Sequence, residues 1–325
     1  MTMLSRLCAK LAGIAFTILV IASINFVLIH SAPGDPALVI AGQSGAADAK
    51  FIEQVRAEYG LDQPFLVQLG TYIGKVVQFD LGYSYRQRAD VSQLILERLG
   101  PTLMLTLSAF FLSLIGGVLF GAFAGRRHGT WADLAVSLIS LLLYATPVFW
   151  LGLMLVLVFS IQLDWLPAFG YANIRASSFG PVEYALDVAK HLILPVLTLS
   201  AIYMAVYTRL MRSSLIEVSH EDHVRTARAK GLNESQILRG HMLRNAAVPV
   251  VTFAGVQAGA LIGGAVVVET VFSWPGIGRL TYDAVTARDY PVLLGLFLMM
   301  SVLVIATNLL TDFLHRVIDP RIKGR

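Results

Sequence analysis

The stretch Glu221–Pro249, EDHVRTARAKGLNESQILRGHMLRNAAVP, decides how this chain is read. Residues 221–230 are rich in helix formers and carry no breaker. Gly231 follows, in the place where a helix ends in the left-handed region that favours glycine. Asn233 can cap a second helix, and Gln236 three residues later completes the capping-box spacing. Residues 234–245 then continue as helix into an apolar run. The expected form is two short basic helices joined by a tight turn and held at both ends by apolar spans. Two roles suit such a segment: a loop that only sets topology, or a rigid docking element for a soluble partner.

Working outward, the chain is 56% hydrophobic and 14% charged, against about 25% charged in soluble domains. A helix needs about 20 apolar residues to cross a bilayer core. Six segments qualify: 11–30, 101–125, 132–163, 192–211, 246–270 and 290–311. The third contains Pro147 and is long enough to tilt or break. Backbone groups in lipid must bond to one another, and no segment shows the alternation of a membrane barrel. The expected fold class is therefore all-α, a polytopic inner-membrane protein with six transmembrane helices and an external helical insertion after the first.

Lysine and arginine set the orientation. Arg6 and Lys10, Arg126 and Arg127, the group from Arg209 to Arg244, and Arg316 to Arg325 all fall on one face of a six-span chain. That face is read as cytoplasmic, with both termini inside. The net charge of +4 fits this bias better than a nucleic-acid surface. Cys8 is the single cysteine, so intrachain disulfides and Cys-rich metal sites are excluded. Span 1 has too long an apolar core for a cleaved signal and no small-x-small site after it, so it reads as a retained anchor.

The organisation expected is residues 1–30 as cytoplasmic end and span 1, 31–100 as an extracytoplasmic helical segment, and 101–325 as a five-helix core with a cytoplasmic loop at 213–247. In 31–100, Pro33-Gly34-Asp35-Pro36 forms a rigid turn. Residues 48–59 form a short helix stopped by Gly60, and Pro64 opens a second helix ended by Asp80-Leu81-Gly82. The segment reads as a cap on the outer membrane surface, as a platform for an external partner, or as both.

The loop resembles the cytoplasmic EAA loop of ABC importer permeases. Arg225-Thr226-Ala227 stands at Glu-Ala-Ala, Gly231 at the glycine, and His241-Met242-Leu243-Arg244 at the final four places. The arginines at the first and last places depart from the general pattern. They are similar to the peptide and nickel branch, matched here by Arg225 to Leu232 and His241 to Ala246. Further matches run along the chain: Pro33-Gly34-Asp35-Pro36, residues 59–64, 80–82, 146–150, 191–195, 269–276, 289–291 and 319–321. The chain is identified as similar to the first permease subunit of dipeptide and oligopeptide ABC importers.

That resemblance implies partners and a mechanism. The permease would pair with a second, homologous permease, sit on two ABC ATP-binding subunits, and receive substrate from an extracytoplasmic binding protein. The loop would supply the coupling helix, with Glu221, Arg225, Thr226, Ala227, Lys230, Gly231, Leu232, Asn233, His241, Arg244 and Asn245 as its residues. Di- or oligopeptides are the expected substrates, with nickel chelates or glutathione as alternatives. No catalytic residue, cofactor or metal is expected on this chain. No phosphate-binding loop occurs, since Gly74-Lys75 is followed by Val76 and lacks the glycine spacing, so ATP and Mg belong to partner subunits.

Polar residues inside spans are costly and merit a functional reading. Asn25, His30, Gln257, Asn308 and Asp312 are too few and scattered for an ion relay. The resemblance implies that spans 2 to 5 line the path, which gives Thr146, Tyr203, Tyr207, Gln257 and Glu269 as candidates; ordinary helix packing is the competing role for each. Gly255, Gly259, Gly263 and Gly264 allow close helix approach, within the chain or across a permease dimer. Gly42-Gln43-Ser44-Gly45 has the form used by intramembrane serine proteases, but Ser44 lies outside the spans and no later span holds a central histidine. His220 and His223 lack metalloprotease spacing. A helix-turn-helix reading of 221–245 fails because the unit has no third helix and no core of its own.

Overall fold

The computed structural model describes residues 3–31, 37, 38, 42, 48–78 and 80–318. The Pro33–Pro36 turn, Ser44 with its neighbours and the 319–321 motif lie outside the described residues, as do the side chains of Cys8, Asn308 and Asp312. Two compact units divide the chain: residues 1–100 with 279–307, and residues 101–278 with 308–325.

The first unit holds α1 (Met3–His30), α2 (Ala49–Tyr59) and α3 (Phe65–Val77). Gly60 ends α2 at φ 62°, and Pro64 stands at the N-cap of α3, both as the sequence predicts. A two-stranded hairpin follows, β1 (Tyr83–Ser84) antiparallel to β2 (Ala89–Asp90), with Arg88 at φ 52° in its turn. The all-α expectation missed it, because strands this short carry no alternation to read. Buried Ser84 donates to Asp289 Oδ2 at 2.6 Å.

Helix α4 (Val91–Arg126) continues through Pro101. The second unit takes its residues from 101 on, then α5 (Trp131–Ala145), α6 (Val148–Leu155) with a π-helical extension Val156–Gln162, and α7 (Pro181–Val218). The expected third span is broken: α5 and α6 meet at 107° across Thr146 and Pro147. Proline forces the preceding residue out of the helical region, and Thr146 sits at φ −78°, ψ 128°. Helix α8 (Asp222–Ala229), α9 (Glu234–Ile237) with a π turn Leu238–Met242, and α10 (Leu243–Val271) follow, then α11 (Ile277–Ala287) and α12 (Tyr290–Ile318).

All six expected spans lie on helices. Among the described residues, α4, α7 and residues 290–307 of α12 are long and apolar enough to cross a membrane, and the bent α5–α6 pair makes a fourth when its two halves are taken as one span. At about 1.5 Å per residue, α7 is far longer than a hydrocarbon core about 30 Å thick. Its ends therefore project, beyond the predicted span 192–211 at both sides.

The second unit is built on α7. Gly117, Gly121 and Gly125 of α4 face it at four-residue spacing, so the two backbones approach closely. A Cβ on Gly121 would lie 2.5 Å from Thr208 O and 2.6 Å from Met211 Cβ. Of the span 5 glycines expected to allow close approach within the chain or across a permease dimer, Gly263 meets no neighbour within this chain: an added Cβ there has nothing within 4 Å. Just beyond the Gly125 end of α4, Asp133 is 4% exposed and binds Arg212 of α7 through both oxygens, at 2.5 and 2.8 Å. Gly129 N–H and His128 complete its shell.

Gly121→Val is expected to cost at least about 1–3 kcal/mol of stability through overpacking against backbone. Gly263→Val should leave the isolated chain unchanged. Thermal unfolding in detergent, followed by fluorescence size exclusion, compares the two.

Candidate coupling loop and translocation path

Helix α8 is amphipathic, and its buried residues are Val224 and Ala227. They join Met211, Leu215 and Val218 of α7, Ile237, Met242, and Ala246 and Val250 of α10 in one apolar cluster. The loop is thus seated on the ends of two long helices, and only its polar face is free. On that face Glu221, Arg225, Thr226, Lys230, Gly231, Leu232, Asn233, His241, Arg244 and Asn245 are exposed, while Ala227 is buried. Thr226 spends its hydroxyl on Asp222 O at 2.8 Å, inside the helix.

Gly231 lies at φ 82°, and its N–H donates to Arg228 O at 3.0 Å. Asn233 Oδ1 accepts from Gln236 N–H at 2.9 Å while Gln236 Oε1 accepts from Asn233 N–H at 3.1 Å, a complete capping box. Two features escaped the sequence reading. Arg228 grips both oxygens of Glu234 across the glycine turn, at 2.8 and 3.3 Å. The Arg228 guanidinium holds the Glu234 carboxyl below its ordinary range. His223 is the second. Asn245 Nδ2 donates to His223 Nε2 at 3.2 Å and to His241 O at 3.1 Å, and His223 Nδ1 faces Glu221 at 3.0 Å. The ring thereby ties the start of α8 to the start of α10. Spacings of six and twenty-two residues across a turn have no periodic signature.

The path candidates fall into three places. Tyr203 and Tyr207 stand one turn apart on α7, and Tyr207 is wholly buried, edge-on to Phe253 of α10 at 6.3 Å. Its hydroxyl is buried and has no hydrogen-bond partner among the described residues. Gln257 lies one turn beyond Phe253 on α10 and is half-buried. Thr146 stands at the α5–α6 bend, its hydroxyl donating to Leu142 O at 2.7 Å. Glu269 lies apart from these, fully buried at the end of α10.

Around Glu269 a knot of hydrogen bonds closes the turn after α10. Thr102 Oγ1 donates to Glu269 Oε1 at 2.7 Å and accepts from Ile277 N–H at 2.8 Å. Trp274 N–H donates to Glu269 O at 2.8 Å, and its indole N–H donates to Pro101 O at 2.9 Å. Gly276 and Gly278 face the carboxylate, and a Cβ on Gly278 would lie 2.9 Å from Oε2. The run Glu269–Gly276 is thereby explained as a buried carboxylate, an aromatic anchor and glycines that make room. Among the described residues no group of three or more His, Cys, Asp or Glu side chains could hold a metal.

Comparison with known proteins gives the following. The family described as binding-protein-dependent transport system inner membrane component matches residues 117–324, and its N-terminal membrane component matches residues 3–106. The chain is 41% identical over 321 residues, 99% of each chain, to proteins named glutathione transport system permease protein GsiC from Escherichia coli (strain K12) and Salmonella choleraesuis. Among solved structures it resembles inward-facing conformations of the MetNI methionine ABC transporter, at TM-score 0.56 and 18% identity, covering 70% of this chain and 97% of that one. An amino acid ABC transporter matches at TM-score 0.51 and 17% identity, covering 69% and 94%.

Thr102→Val keeps the side-chain shape but removes the hydroxyl that serves both Glu269 and Ile277. A loss of about 1–3 kcal/mol is expected from the two buried hydrogen bonds removed, read as a lower melting temperature of the detergent-purified chain. Thr102→Ser should retain most of the stability.

Proposed function

The chain belongs to the family of binding-protein-dependent transport system inner membrane components, and from that premise we propose that it carries glutathione-sized peptides. As a multi-pass permease of an ABC importer it is a transport component and not an enzyme. The 41% identity across 99% of proteins named as glutathione permeases carries the substrate reading. Other di- or oligopeptides are the second reading, on the motifs shared with the peptide branch.

In this proposal ATP is hydrolysed on two separate ATP-binding subunits, a second permease completes the path, and a binding protein delivers substrate from outside. Both termini are cytoplasmic, residues 31–100 lie outside, and the loop 213–247 meets an ATP-binding subunit. Its exposed face supplies Arg225, Lys230, Leu232 and Arg244 to that contact, while the capping box, the Arg228–Glu234 pair and His223 keep it rigid. Rigidity matters because a loop transmits a displacement only if bending it costs more than moving the helices attached to it. Helices α7 and α10 take up the movement directly, since α8 is packed on both. Tyr203 and Gln257 line the path, with Thr146 at the bend, while Tyr207 supports them from inside the packed bundle. Glu269 holds the outer turn in place instead of meeting substrate.

Uptake of radiolabelled glutathione, in cells lacking the chain and complemented with it and its partner subunits, tests the substrate. Uptake is expected, with competition by unlabelled glutathione exceeding that by dipeptides or a nickel chelate. Stronger competition by dipeptides would move the assignment to the second reading. Gly231→Pro removes both the positive φ and the N–H that bonds Arg228 O. It is expected to abolish uptake while membrane abundance stays at wild-type level on immunoblots; full uptake in that variant would remove the coupling role of the loop.

A further inference from the structure

A half-open cavity of about 90 Å³ lies in the first unit, among the end of α1, α3, residues 80–82 and the start of α12. None of the path candidates lines it. Phe26 and His30 stack at 3.8 Å, and Phe26 stacks on Tyr72 at 5.3 Å, giving it aromatic walls. Three observations indicate an occupant. First, the Tyr72 hydroxyl is buried with no hydrogen-bond partner among the described residues, a costly state unless something supplies one. Burial also pushes that phenol up to about 12. Second, the lining includes one cationic and one anionic side chain, Lys75 and Asp80. Asp80 uses Oδ1 to accept from Gly82 N–H at 3.0 Å. Third, α3 presents apolar side chains outward beside the cavity: Phe65 is 45%, Leu66 77% and Val67 49% exposed.

An external helix with an apolar outer flank, next to the ends of two spans, belongs at the headgroup level of the bilayer. One positive and one negative group suit a zwitterion better than a net anion. We propose that the cavity seats the headgroup of a zwitterionic phospholipid, its phosphate toward Lys75 and the Tyr72 hydroxyl and its ammonium toward Asp80, with acyl chains along Phe65, Leu66 and Val67. The proposal rests on the membrane placement of α1 and α12 and is independent of the transported substrate.

The test uses the delipidated full chain in detergent, with melting temperature followed during titration. Dioleoylphosphatidylethanolamine is expected to raise it saturably, and dioleoylphosphatidylglycerol to raise it less. Tyr72→Phe should raise the half-saturating concentration about 2- to 10-fold, the value of one hydrogen bond, with the lipid-free melting temperature unchanged. Asp80→Asn keeps the Oδ1 acceptor for Gly82 but should erase the preference between the two lipids. Equal shifts from both lipids on the wild type would overturn the proposal, as would unaltered binding in both variants. A full shift from soluble glycerophosphoethanolamine alone would assign the cavity to a soluble metabolite instead. Should a variant fail to fold, native mass spectrometry of the wild type decides: retained phosphatidylethanolamine supports the proposal, and its absence after gentle extraction overturns it.

Discussion

The pair between Asp133 and Arg212 organises the loop-bearing end of the second unit. Asp133 sits in the first turn of α5, where the helix dipole favours a carboxylate. Its near-complete burial would be costly without a bidentate cation, and removing either partner would strand the other. The pair fixes the turn between α4 and α5 to α7 about one and a half turns before α7 ends. Everything carried on that end of α7, the loop from Glu221 to Asn245 included, is referred to this point. The glycine face of α4 works in the same direction, because it lets α7 lie close enough for the short turn 127–130 to reach it.

At the other end of the unit the constraint is a buried carboxylate of a different kind. Glu269 is served by the Thr102 hydroxyl, and the same hydroxyl receives Ile277 N–H. A single side chain on α4 thus couples the end of α10 to the start of α11. Between these two fixed ends lies the apolar middle of the bundle, where Tyr203, Tyr207, Phe253 and Gln257 supply polar and aromatic groups. Fixed ends and a weakly polar middle suit a permease, which must pass a polar solute without holding it.

What the sequence made legible follows from how local each signal is. The spans could be read because lipid demands long apolar helices, and Gly60, Pro64, Gly231 and the Asn233–Gln236 box could be read because each is settled within four residues. The break at Pro147 was anticipated as one of two outcomes; the 107° bend needed the packing of α6. Missing from the sequence reading were the hairpin at 83–90, the Arg228–Glu234 pair, the His223–Asn245 link and the Asp133–Arg212 pair. These depend on which turns are brought together, and no spacing encodes that. The close approach of α4 to α7 through Gly117, Gly121 and Gly125 was likewise not read from the sequence, where attention fell on the denser glycines of span 5.

The π turn at Leu238–Met242 stands between α9 and α10. Such a turn holds one residue more than an α turn. Relaxing it to regular helix would slip the register of all that follows by one position, which is about 100° of rotation and 1.5 Å of rise. A different stripe of α10 would then face Tyr207, and Ala246 and Val250 would turn out of the cluster that seats α8. A change in that one turn would therefore reorient the helix that carries Phe253 and Gln257.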